Sequence, residues 1–398
     1  MKSLVILGST GSIGENALRI AEALPNDFKV VGLATRNKIT RLIDQALQFN
    51  VKQVAVEDEA AAREAELLAR PHGIKVWAGQ QGVEALAALP GADCVVCAVV
   101  GLAGLKPVLA AMDAGHDVAL ATKEVLVSAG ELVMRKRKEK NVRLLPIDSE
   151  HSALFQCLQS VNRSVACVRL AKEERPPAED QIAKLVLTAS GGPFAKMPEL
   201  DFEKVTPAQA LNHPRWQMGP KVTIDSATMM NKGLEILEAR WLFDVPVHHV
   251  EVIVHPESIV HSMVTFVDGA TLAQLSVPDM RFAIQYALTW PERRAVEMPR
   301  LDLMQLGTLT FSSPDIKRFP CLRLIREAAT TGGTLPAVVN AADEVAVTAF
   351  LEGRLSFSGI WKVIEAVMGN HTVQACTDLE TILETDKWAR QKAREIII

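Results

Sequence analysis

Long runs of one charge are missing from this sequence. The formal net charge is −4 over 398 residues, and no extended basic stretch occurs. The short basic stretch at residues 135–138 is followed at once by Glu139, which is typical of a solvated helix end. This composition argues against nucleic acid as the main partner.

Long apolar runs are also missing. The most apolar stretch, residues 94–105, is interrupted by Gly101 and Gly104, so the sequence predicts no membrane-spanning helix. The N-terminal residues pass directly from a short strand pattern into a glycine turn. This leaves no room for a signal peptide, and we expect a cytoplasmic protein without a membrane partner.

Cysteine is scarce, with six residues at positions 94, 97, 157, 167, 321 and 376. Cys94 and Cys97 have the spacing of a redox or zinc half-site, but they lie in a strand pattern, where positions i and i+3 face opposite sides of a sheet. No second CxxC motif completes a zinc site. The sequence therefore predicts reduced, mostly buried thiols.

What is present is an alternation of strand and helix patterns, in a chain too long for one simple core. The predicted strands of the first part are 3–7, 29–34, 53–56, 93–99, 117–121 and 142–147. Strands that alternate with helical stretches favour a parallel sheet with helices on both faces. We expect an α/β protein whose residues 1–150 form a Rossmann-like, doubly wound parallel sheet that binds the cofactor.

The rest of the chain divides into three predicted parts. Residues 151–290 are expected to form a central α/β catalytic domain, with strands at 182–189, 250–255, 260–267 and 271–275 in a mixed or antiparallel sheet. The charged, proline-rich segment 172–181 predicts an exposed loop. Prolines at 291, 299, 314 and 320 indicate a linker over 291–320, and 3.6-residue apolar spacing predicts a helical bundle over 321–398.

The glycine-rich stretch GSTGSIG, residues 8–14, follows the first strand and opens a helix. Such glycines let the backbone approach a pyrophosphate at a helix N-terminus, although a tight turn without ligand is the alternative. At the end of the second strand, where an NAD enzyme would carry an acid, this chain has Arg36, Asn37 and Lys38. The two cations suit a 2′-phosphate and favour NADP(H) over NAD(H).

Two acids, Asp148 and Glu150, follow the last predicted strand of the first part, in LPIDSEH. In an extended backbone their side chains would lie on one face, ~7 Å apart, and would raise each other's pKa unless a cation lay between them. A solvated pair of loop acids is one interpretation, and a divalent metal site that lacks a third ligand is the other. Lys123 and Glu124 end the preceding strand at the same edge, where doubly wound sheets bind ligands.

The central part holds a turn and a loop that suit ligand binding. LTASGGPF places Ser190 in a Ser-Gly-Gly turn, whose N–H groups can face an anion. The loop NHPRWQMGPK, residues 212–221, contains Trp216 and Met218, and closure over a ligand explains these apolar side chains better than an idle loop. His255 and His261 are interpreted as packing or hydrogen-bonding residues.

A helix is predicted in DSATMMNKGLEILEARWLF, with Ser226 as its N-cap. Its apolar stripe consists of Met230, Leu234, Leu237 and Trp241. Asn231 and Glu235 share a different, polar face, and Gly233 is expected to clear space beside them.

Together these motifs resemble those of the 1-deoxy-D-xylulose 5-phosphate reductoisomerase family. The motifs GSTGSIG, ATKE, LPIDSEH, SGGPF, NHPRWQMG, DSATMMNKGLE and VPDMR occur in that order, and the resemblance extends over essentially the whole chain. It implies an NADPH-dependent rearrangement and reduction of 1-deoxy-D-xylulose 5-phosphate to 2-C-methyl-D-erythritol 4-phosphate, a step of non-mevalonate isoprenoid precursor biosynthesis. It also implies one Mg²⁺ or Mn²⁺ ion and a homodimer.

The resemblance implies roles for individual residues. The implied metal ligands are Asp148, Glu150 and Glu235, which with Lys123 and His213 form the catalytic set. The implied substrate-binding residues are Lys123, Ser149, Glu150, Ser190, His213, Trp216, Ser226, Asn231, Lys232 and Glu235. The implied cofactor-binding residues are Thr10, Gly11, Ser12, Ile13, Arg36, Asn37, Lys38, Thr122, Glu124 and Gly219. The chain departs from the family at Thr122, where Asn is frequent, and at 36–38, where Gly-Lys-Asn is frequent.

Two other functions explain parts of this pattern. A generic NADP-dependent semialdehyde dehydrogenase would need a nucleophilic cysteine, which no motif here provides, and a metal-free polyol dehydrogenase would leave the three acids unexplained. A non-catalytic NADP-sensing protein would not need the Ser-Gly-Gly turn, the 212–221 loop and the Asn-Lys-Glu helix together.

Overall fold

The computed structural model describes residues 1–159, 181–197, 199–216, 218–376 and 378–397. Cys167 and the predicted loop at 172–181, apart from its last residue, lie outside the described residues. The five described cysteines are all buried and free, as predicted.

The described residues form eleven strands in two sheets. In chain order the strands are β1 Lys2–Leu7, β2 Phe28–Thr35, β3 Gln53–Val56, β4 Lys75–Ala78, β5 Cys94–Cys97, β6 Asp117–Leu120, β7 Leu144–Pro146, β8 Ile182–Ala189, β9 Val250–Val254, β10 Val260–Phe266 and β11 Thr271–Leu275. Strands β1–β7 form the first sheet and β8–β11 form the second.

The described residues also form sixteen α-helices. They are α1 Ser12–Ala23, α2 Ile39–Gln48, α3 Glu59–Ala69, α4 Gly79–Ala87, α5 Leu105–Asp113, α6 Lys123–Lys140, α7 Ser149–Leu158, α8 Pro207–Ala210, α9 Pro220–Thr228, α10 Met230–Phe243, α11 Met280–Thr289, α12 Leu303–Leu306, α13 Cys321–Thr331, α14 Leu335–Leu351, α15 Gly359–Gly369 and α16 Leu379–Ile397. Each helix of the described part is too short or too polar to cross a membrane.

The first sheet is parallel throughout, in the order β4-β3-β2-β1-β5-β6-β7. Its central strands contain fully buried runs, LVIL in β1 and CVVC in β5, which suits a sheet covered by helices on both faces. The strand order reverses at β1 and β5, which opens a ligand crevice at their carboxyl ends. The predicted Rossmann-like sheet is confirmed.

Strand β4 is the one strand of this sheet that the sequence patterns did not predict. Lys75–Ala78 forms an edge strand of four residues, and each of these residues is partly or fully exposed. An edge strand carries a weak apolar signal because only one neighbour and one face cover it.

The second sheet has the order β11-β10-β8-β9. β8 pairs parallel with β9 and antiparallel with β10, which pairs antiparallel with β11, so the predicted mixed sheet is present. The segment 291–320, predicted as a linker, contains only helix α12 and a β-bridge between Val254 and Ser312. Helices α13–α16 then form the predicted C-terminal helical part.

The helix predicted to begin at Ser226 is in fact two helices. Helix α9 begins earlier, because Gly219 is its N-cap and Pro220 fits the first helical position, so Ser226 lies in its last turn. Met229 then adopts a left-handed conformation, with φ of 64°, and α10 starts at Met230. The prediction that Ser226 caps the helix was therefore wrong.

Helix α10 is enclosed by other helices. A Cβ atom on Gly233 would lie 2.4 Å from Ile325 Cγ2, so this glycine admits helix α13. Its predicted role, to clear space beside Asn231 and Glu235, was wrong. On the α6 side, a Cβ atom on Gly130 would lie 2.2 Å from Trp241 Nε1, so α6 also approaches α10 closely. Eleven of the fourteen residues of α10 are buried.

Candidate active site and metal site

One cavity brings together every residue that the family resemblance assigned to substrate or metal. Its lining includes Lys123, Asp148, Ser149, Glu150, Ser190, His213, Trp216, Ser226, Asn231, Lys232 and Glu235. These side chains come from the carboxyl ends of β6, β7 and β8, from the loop before α9, and from α9 and α10. The cavity therefore lies between the two sheets and against the central helices.

The local backbone around the two acids differs from the extended arrangement that the sequence suggested. Strand β7 ends at Pro146, Asp148 is the N-cap of α7, and Glu150 lies in the first helical turn. Both carboxylates still reach the cavity because the turn from β7 into α7 redirects the chain. Likewise, Lys123 does not end a strand but is the first residue of α6.

Two lysines separate the three carboxylates. Lys123 Nζ lies 2.5 Å from Asp148 Oδ2 and 3.3 Å from Glu235 Oε1. Lys232 Nζ lies 2.6 Å from Glu150 Oε1 and also contacts Glu235 Oε2. The ammonium groups therefore supply the positive charge that close acids require.

Burial and neighbouring charges divide the acids into two types. Burial, reinforced by the charge of Glu150, raises the pKa of Glu235 to about 7. Burial also acts to raise the pKa of Asp148, but the charge of Lys123 outweighs it and holds that pKa below its ordinary value. The pKa of Lys123 is raised well above its usual value, because its acidic neighbours outweigh its burial.

A histidine and a further glutamate lie directly behind the acids. His151 Nε2 is 2.9 Å from the carbonyl oxygen of Glu235, so this nitrogen donates and Nδ1 carries no proton in the neutral ring. Glu238 Oε2 lies 3.4 Å from His151 Nδ1. Burial, followed by the charge of Asp148, raises the pKa of Glu238 well above its ordinary value, which favours a protonated carboxyl group beside Nδ1.

Two groups of side chains in the described residues could hold a metal ion. Asp148, Glu150 and Glu235 bring carboxylate oxygens within 4.8 Å of one another, and Asp148, His151 and Glu238 bring their ligand atoms equally close. The first group offers only oxygen ligands, which Mg²⁺ and Mn²⁺ prefer. It also opens to the cavity and already surrounds two cationic groups, so it fits a hard divalent cation better.

The loop before α9 closes one side of the cavity. His213 Nδ1 accepts hydrogen bonds from the backbone N–H groups of Arg215 and Trp216, at 3.2 and 2.9 Å. Its Nε2 is therefore the protonated nitrogen, and it donates to Ser190 Oγ at 2.9 Å. Burial lowers the pKa of His213, which keeps the ring neutral in this arrangement.

The Ser-Gly-Gly turn lies against the end of α9. Gly191 and Gly192 have positive φ angles of 83° and 68°. A Cβ atom on Gly192 would lie 2.7 Å from the carbonyl oxygen of Ser226, so glycine is required for this approach. The turn thereby brings Ser190 and Ser226 to the same side of the cavity, where two hydroxyl groups can bind one anion.

A second cavity lies at the carboxyl ends of the first sheet. It is lined by the glycine-rich turn and by the basic segment after β2, including Gly8, Thr10, Gly11, Arg36, Asn37 and Lys38. Ser12 and Ile13 line the first cavity instead, together with Gly219. The two cavities therefore meet along residues 10–13.

Two of the residues that the resemblance assigned to the cofactor line neither cavity. Thr122 directs its hydroxyl group to the carbonyl oxygen of Val99, so its side chain already has an acceptor. Glu124 is buried in α6, with Lys221 Nζ 4.0 Å from Oε1.

Comparison with known proteins identifies the family. The profile for 1-deoxy-D-xylulose 5-phosphate reductoisomerase matches residues 4–130, that for its C-terminal domain matches 144–243, and that for the DXP reductoisomerase C-terminal domain matches 275–392. The 1-deoxy-D-xylulose 5-phosphate reductoisomerase of Chlorobium limicola is 47% identical over 397 residues, covering 100% of each chain. That of Pelotomaculum thermopropionicum is 48% identical over 398 residues, covering 100% of this chain and 99% of the relative. This chain belongs to the 1-deoxy-D-xylulose 5-phosphate reductoisomerase family.

Solved structures of reductoisomerases share the whole fold. The reductoisomerase of Zymomonas mobilis in complex with NADPH superposes with a TM-score of 0.90 and 38% identity, covering 100% of this chain and 99% of the other. A DOX-P reductoisomerase in complex with NADPH, fosmidomycin and magnesium gives a TM-score of 0.92 and 38% identity, covering 100% and 98%. The family resemblance drawn from the motifs is confirmed.

Some residues of this reductoisomerase site were not assigned to substrate or metal from the sequence. Ser258, His261 and Met280 line the substrate cavity. The ring of His261 packs edge-on against Trp216, with ring centroids 6.3 Å apart, so this histidine supports the loop before α9. Met280 lies in the VPDMR motif, which gave a usable signal. Ser258 gave none, because its left-handed backbone, with φ of 53°, is a property of the folded chain.

Proposed function

We propose that this chain converts 1-deoxy-D-xylulose 5-phosphate into 2-C-methyl-D-erythritol 4-phosphate with NADPH and one divalent cation, Mg²⁺ or Mn²⁺. The observation that carries the proposal is the meeting of two cavities along residues 10–13. One cavity holds the acids and polar side chains, and the other holds the glycine-rich turn and the basic segment. A cofactor bound along the second cavity would extend its reactive end into the first.

Asp148, Glu150 and Glu235 are the proposed metal ligands. When bound there, the cation acts as a Lewis acid that polarises the substrate carbonyl and stabilises negative charge on oxygen. The surrounding protein fixes these acids from behind, since His151 is hydrogen bonded to the backbone of Glu235. Lys123 and Asn231 hydrogen bond to each other at 2.9 Å and reach the same acids, so both are placed to orient a hydroxylated substrate.

The phosphate group of the substrate is proposed to bind Ser190, Ser226, Asn231 and Lys232. Ser190 and Ser226 are brought together by Gly192, and Lys232 supplies a positive charge on a long side chain. Ser149 lies beside Glu150, where it can contact the sugar backbone. Binding energy from a phosphate remote from the reacting carbons can orient the substrate and favour closure of the loop.

His213 and Trp216 are proposed to close over the bound substrate. Neutral His213 presents a protonated Nε2 to Ser190, and the same N–H can donate to a substrate oxygen instead. Trp216 contributes apolar surface that excludes water from the site. The loop that carries them is thus a lid, defined here by the described residues 212–216, 218 and 219.

NADPH is the proposed hydride donor. Thr10, Gly11, Ser12 and Ile13 would follow its pyrophosphate and approach the substrate cavity, and Arg36, Asn37 and Lys38 would face the 2′-phosphate. Gly219 would contact the cofactor at the end of the lid. Thr122 and Glu124 line neither cavity in this structure. A contact with the cofactor would therefore need their side chains to leave their present partners.

We further propose a cytoplasmic homodimer without nucleic acid or membrane partners. The proposed units are residues 1–150 for the cofactor, 151–290 for catalysis, a 291–320 linker and a 321–398 helical domain. The matched family domains at 4–130, 144–243 and 275–392 support a three-part chain, although the last of these begins before the proposed linker.

The test of the function is an NADPH oxidation assay with the phosphorylated ketose, with and without Mg²⁺. We expect turnover only when ketose phosphate and cation are both present. Turnover without the cation, or with simple aldehydes, would instead indicate a generic NADP-dependent dehydrogenase. NADPH binding with no turnover would indicate a cofactor-sensing protein.

A further inference from the structure

A buried group of charges lies outside the substrate cavity, where three parts of the chain meet. Lys221, in the first turn of α9, places its Nζ 2.5 Å from Asp225 Oδ2 and 3.0 Å from Asp343 Oδ2 of helix α14. Glu124 Oε1 of helix α6 lies 4.0 Å from the same nitrogen. Lys221, Asp225 and Asp343 have no role in the proposed mechanism.

The group is too deeply buried to be an ordinary surface ion pair. The exposed fraction is 1% for Asp225 and 0% for Asp343. The Oδ1 atoms of both aspartates have no hydrogen-bond partner among the described residues. Buried charges are costly unless they are paired, so a bare pair of acids at this depth needs the lysine between them.

Lys221 lies among three acids, and the two nearest are the aspartates of α9 and α14. Burial, followed by the charge of Asp343, raises the pKa of Asp225 well above its ordinary value. Asp225 and Asp343 outweigh burial and raise the pKa of Lys221 well above its usual value. The group therefore keeps Lys221 as a cation and favours the protonated form of Asp225.

Two further side chains lie near this group. Glu344, the next residue on α14, is paired with Arg390 at 2.7 Å. On α13, burial followed by the charge of Asp343 raises the pKa of the Cys321 thiol well above its ordinary value, so the thiol is neutral. Asp343 is therefore the main counter-charge that the C-terminal helices offer to Lys221.

The position of Lys221 in the chain links this group of charges to the lid and to the proposed phosphate site. Lys221 follows the lid by two residues, and Asp225 directly precedes Ser226 of the proposed phosphate site. Helix α9 thus begins directly after the lid, and its last turn contains Ser226, which is proposed to bind the substrate phosphate. Its contact with α14 through Lys221 and Asp343 fixes both relative to the C-terminal helices.

We propose that Lys221, held between Asp225 and Asp343, is a positioning residue of the reaction that anchors the lid and Ser226 to helix α14. None of these three side chains lines the substrate cavity, so they act through the position of α9. This inference rests on the proposed function, because it assigns the lid and Ser226 their roles in binding the ketose phosphate.

The main test replaces Asp343 by Asn in the full-length enzyme. Asp225 still pairs with Lys221 at 2.5 Å, so the fold survives while the charge contact with α14 is lost. We expect the KM for the ketose phosphate to rise about tenfold, with kcat and the KM for NADPH changed by less than about threefold. Asp343→Glu, which restores the carboxylate, should reverse at least half of the increase in the KM for the ketose phosphate, measured on a logarithmic scale.

A matched control is Glu352→Gln at the exposed C-terminal end of α14, which also removes one negative charge. It should leave both KM values unchanged. A purely structural role for Asp343 would lower the melting temperature and the fraction of active enzyme without a selective change in the KM for the ketose phosphate. That result would overturn the proposal.

A double-mutant cycle tests the contact itself. Lys221→Met removes the ammonium group, and this variant alone carries the test if Asp343→Asn does not fold. We expect Lys221→Met to raise the KM for the ketose phosphate, and Lys221→Met/Asp343→Asn to raise it no further. Additive effects would overturn the proposal. The wild-type enzyme in the same assay tests the proposed function separately, since it depends on none of these variants.

Discussion

Lys123 Nζ lies 3.3 Å from Glu235 Oε1, although 112 positions separate the two residues along the chain. The contact joins the first turn of α6 to the middle of α10, and the same nitrogen reaches Asp148 on α7. The lysine thus lies among the acids that we assign to the metal. A divalent cation that enters must compete with it, so metal binding and the position of Lys123 should be coupled.

Glu235→Gln should abolish metal-dependent turnover. The substitution removes one of three ligand charges, and since even outer-shell partners of metal ligands change affinity or activity by about 10–100-fold, we expect a loss of at least ~100-fold. The Kd for NADPH should change by less than about twofold, because most of the proposed cofactor cavity lies on the first sheet. Mg²⁺ titration of activity and NADPH fluorescence measure the two effects.

Glu238 provides the matched control, one turn further along α10. It is as deeply buried as Glu235, and burial raises the pKa of its carboxyl group, which favours the neutral form that the amide of Glu238→Gln resembles. This variant should keep a normal Mg²⁺ titration. Similar losses in both variants would contradict the assignment of Asp148, Glu150 and Glu235, and would favour the neighbouring group with His151 and Glu238.

Metal binding should weaken below about pH 7. The pKa of Glu235 is about 7 in the metal-free protein because of its burial and the charge of Glu150. A ligand carboxyl group must lose its proton to bind the cation, so the apparent affinity should fall about tenfold for each pH unit below that pKa. Calorimetric Mg²⁺ titrations in buffers of different ionisation enthalpy should show about one proton released near pH 6 and none near pH 8.5. A constant affinity and no released proton would contradict this ionisation of Glu235.

The basic segment after β2 should determine the preference for NADPH. Arg36→Ala/Lys38→Ala should raise the KM for NADPH about 10–100-fold, as expected for lost charge-assisted hydrogen bonds, and should change the KM for NADH by less than about threefold. Lys52→Ala, an exposed cation on the same domain, should change neither. Equal losses for the two cofactors would show that the segment does not read the 2′-phosphate.

Closure of the lid should protect it from trypsin. Arg215 is exposed, so we expect cleavage after it in the free enzyme, and slower cleavage when a substrate analogue, NADPH and Mg²⁺ are bound. Mass spectrometry of the fragments over time measures the rate at this bond. In Trp216→Ala, which loses the apolar contact with His261, the ligands should give little protection. Equal cleavage rates with and without ligands would refute closure.

Close packing of α6 on α10 should make Gly130 essential for stability. In Gly130→Ala the new methyl group would lie 2.2 Å from Trp241 Nε1, so overpacking should lower the free energy of unfolding by about 1–3 kcal/mol. Gly369→Ala is the control, because no atom lies within 4 Å of its Cβ position and it ends helix α15. Urea denaturation should show no loss of stability for the control. Two equally stable variants would disprove the close approach.

The sequence predicted those parts of the fold that continuous burial and local motifs determine. The alternation of strand and helix patterns predicted the parallel sheet that contains β1 and β5, whereas the partly exposed edge strand Lys75–Ala78 left too weak a pattern. The break at Met229 was missed because its left-handed backbone depends on how α9 and α10 pack in the folded chain.

For the site, too, local motifs could be read from the sequence, whereas long-range contacts could not. The family motifs supplied its residues, and the structure brings the substrate and metal set into one cavity. The motifs could not reveal that Lys123 and Lys232 lie between the acids, because the contacts of Lys123 with Glu235 and of Lys232 with Glu150 span 112 and 82 positions. They also gave no sign of Ser258, which reaches the cavity through an unusual backbone angle.

Helix α10 presents almost no face to solvent, since eleven of its fourteen residues are buried. Glycines on α10 and on α6 remove any spare volume on two of its sides, and the acids and Lys232 occupy the cavity side. Random substitution along this helix should therefore yield mostly inactive variants, and the tolerated diversity of the family should concentrate elsewhere. A library designed to alter substrate preference would do better to vary the lid and the neighbourhood of Ser258 and to leave α10 unchanged.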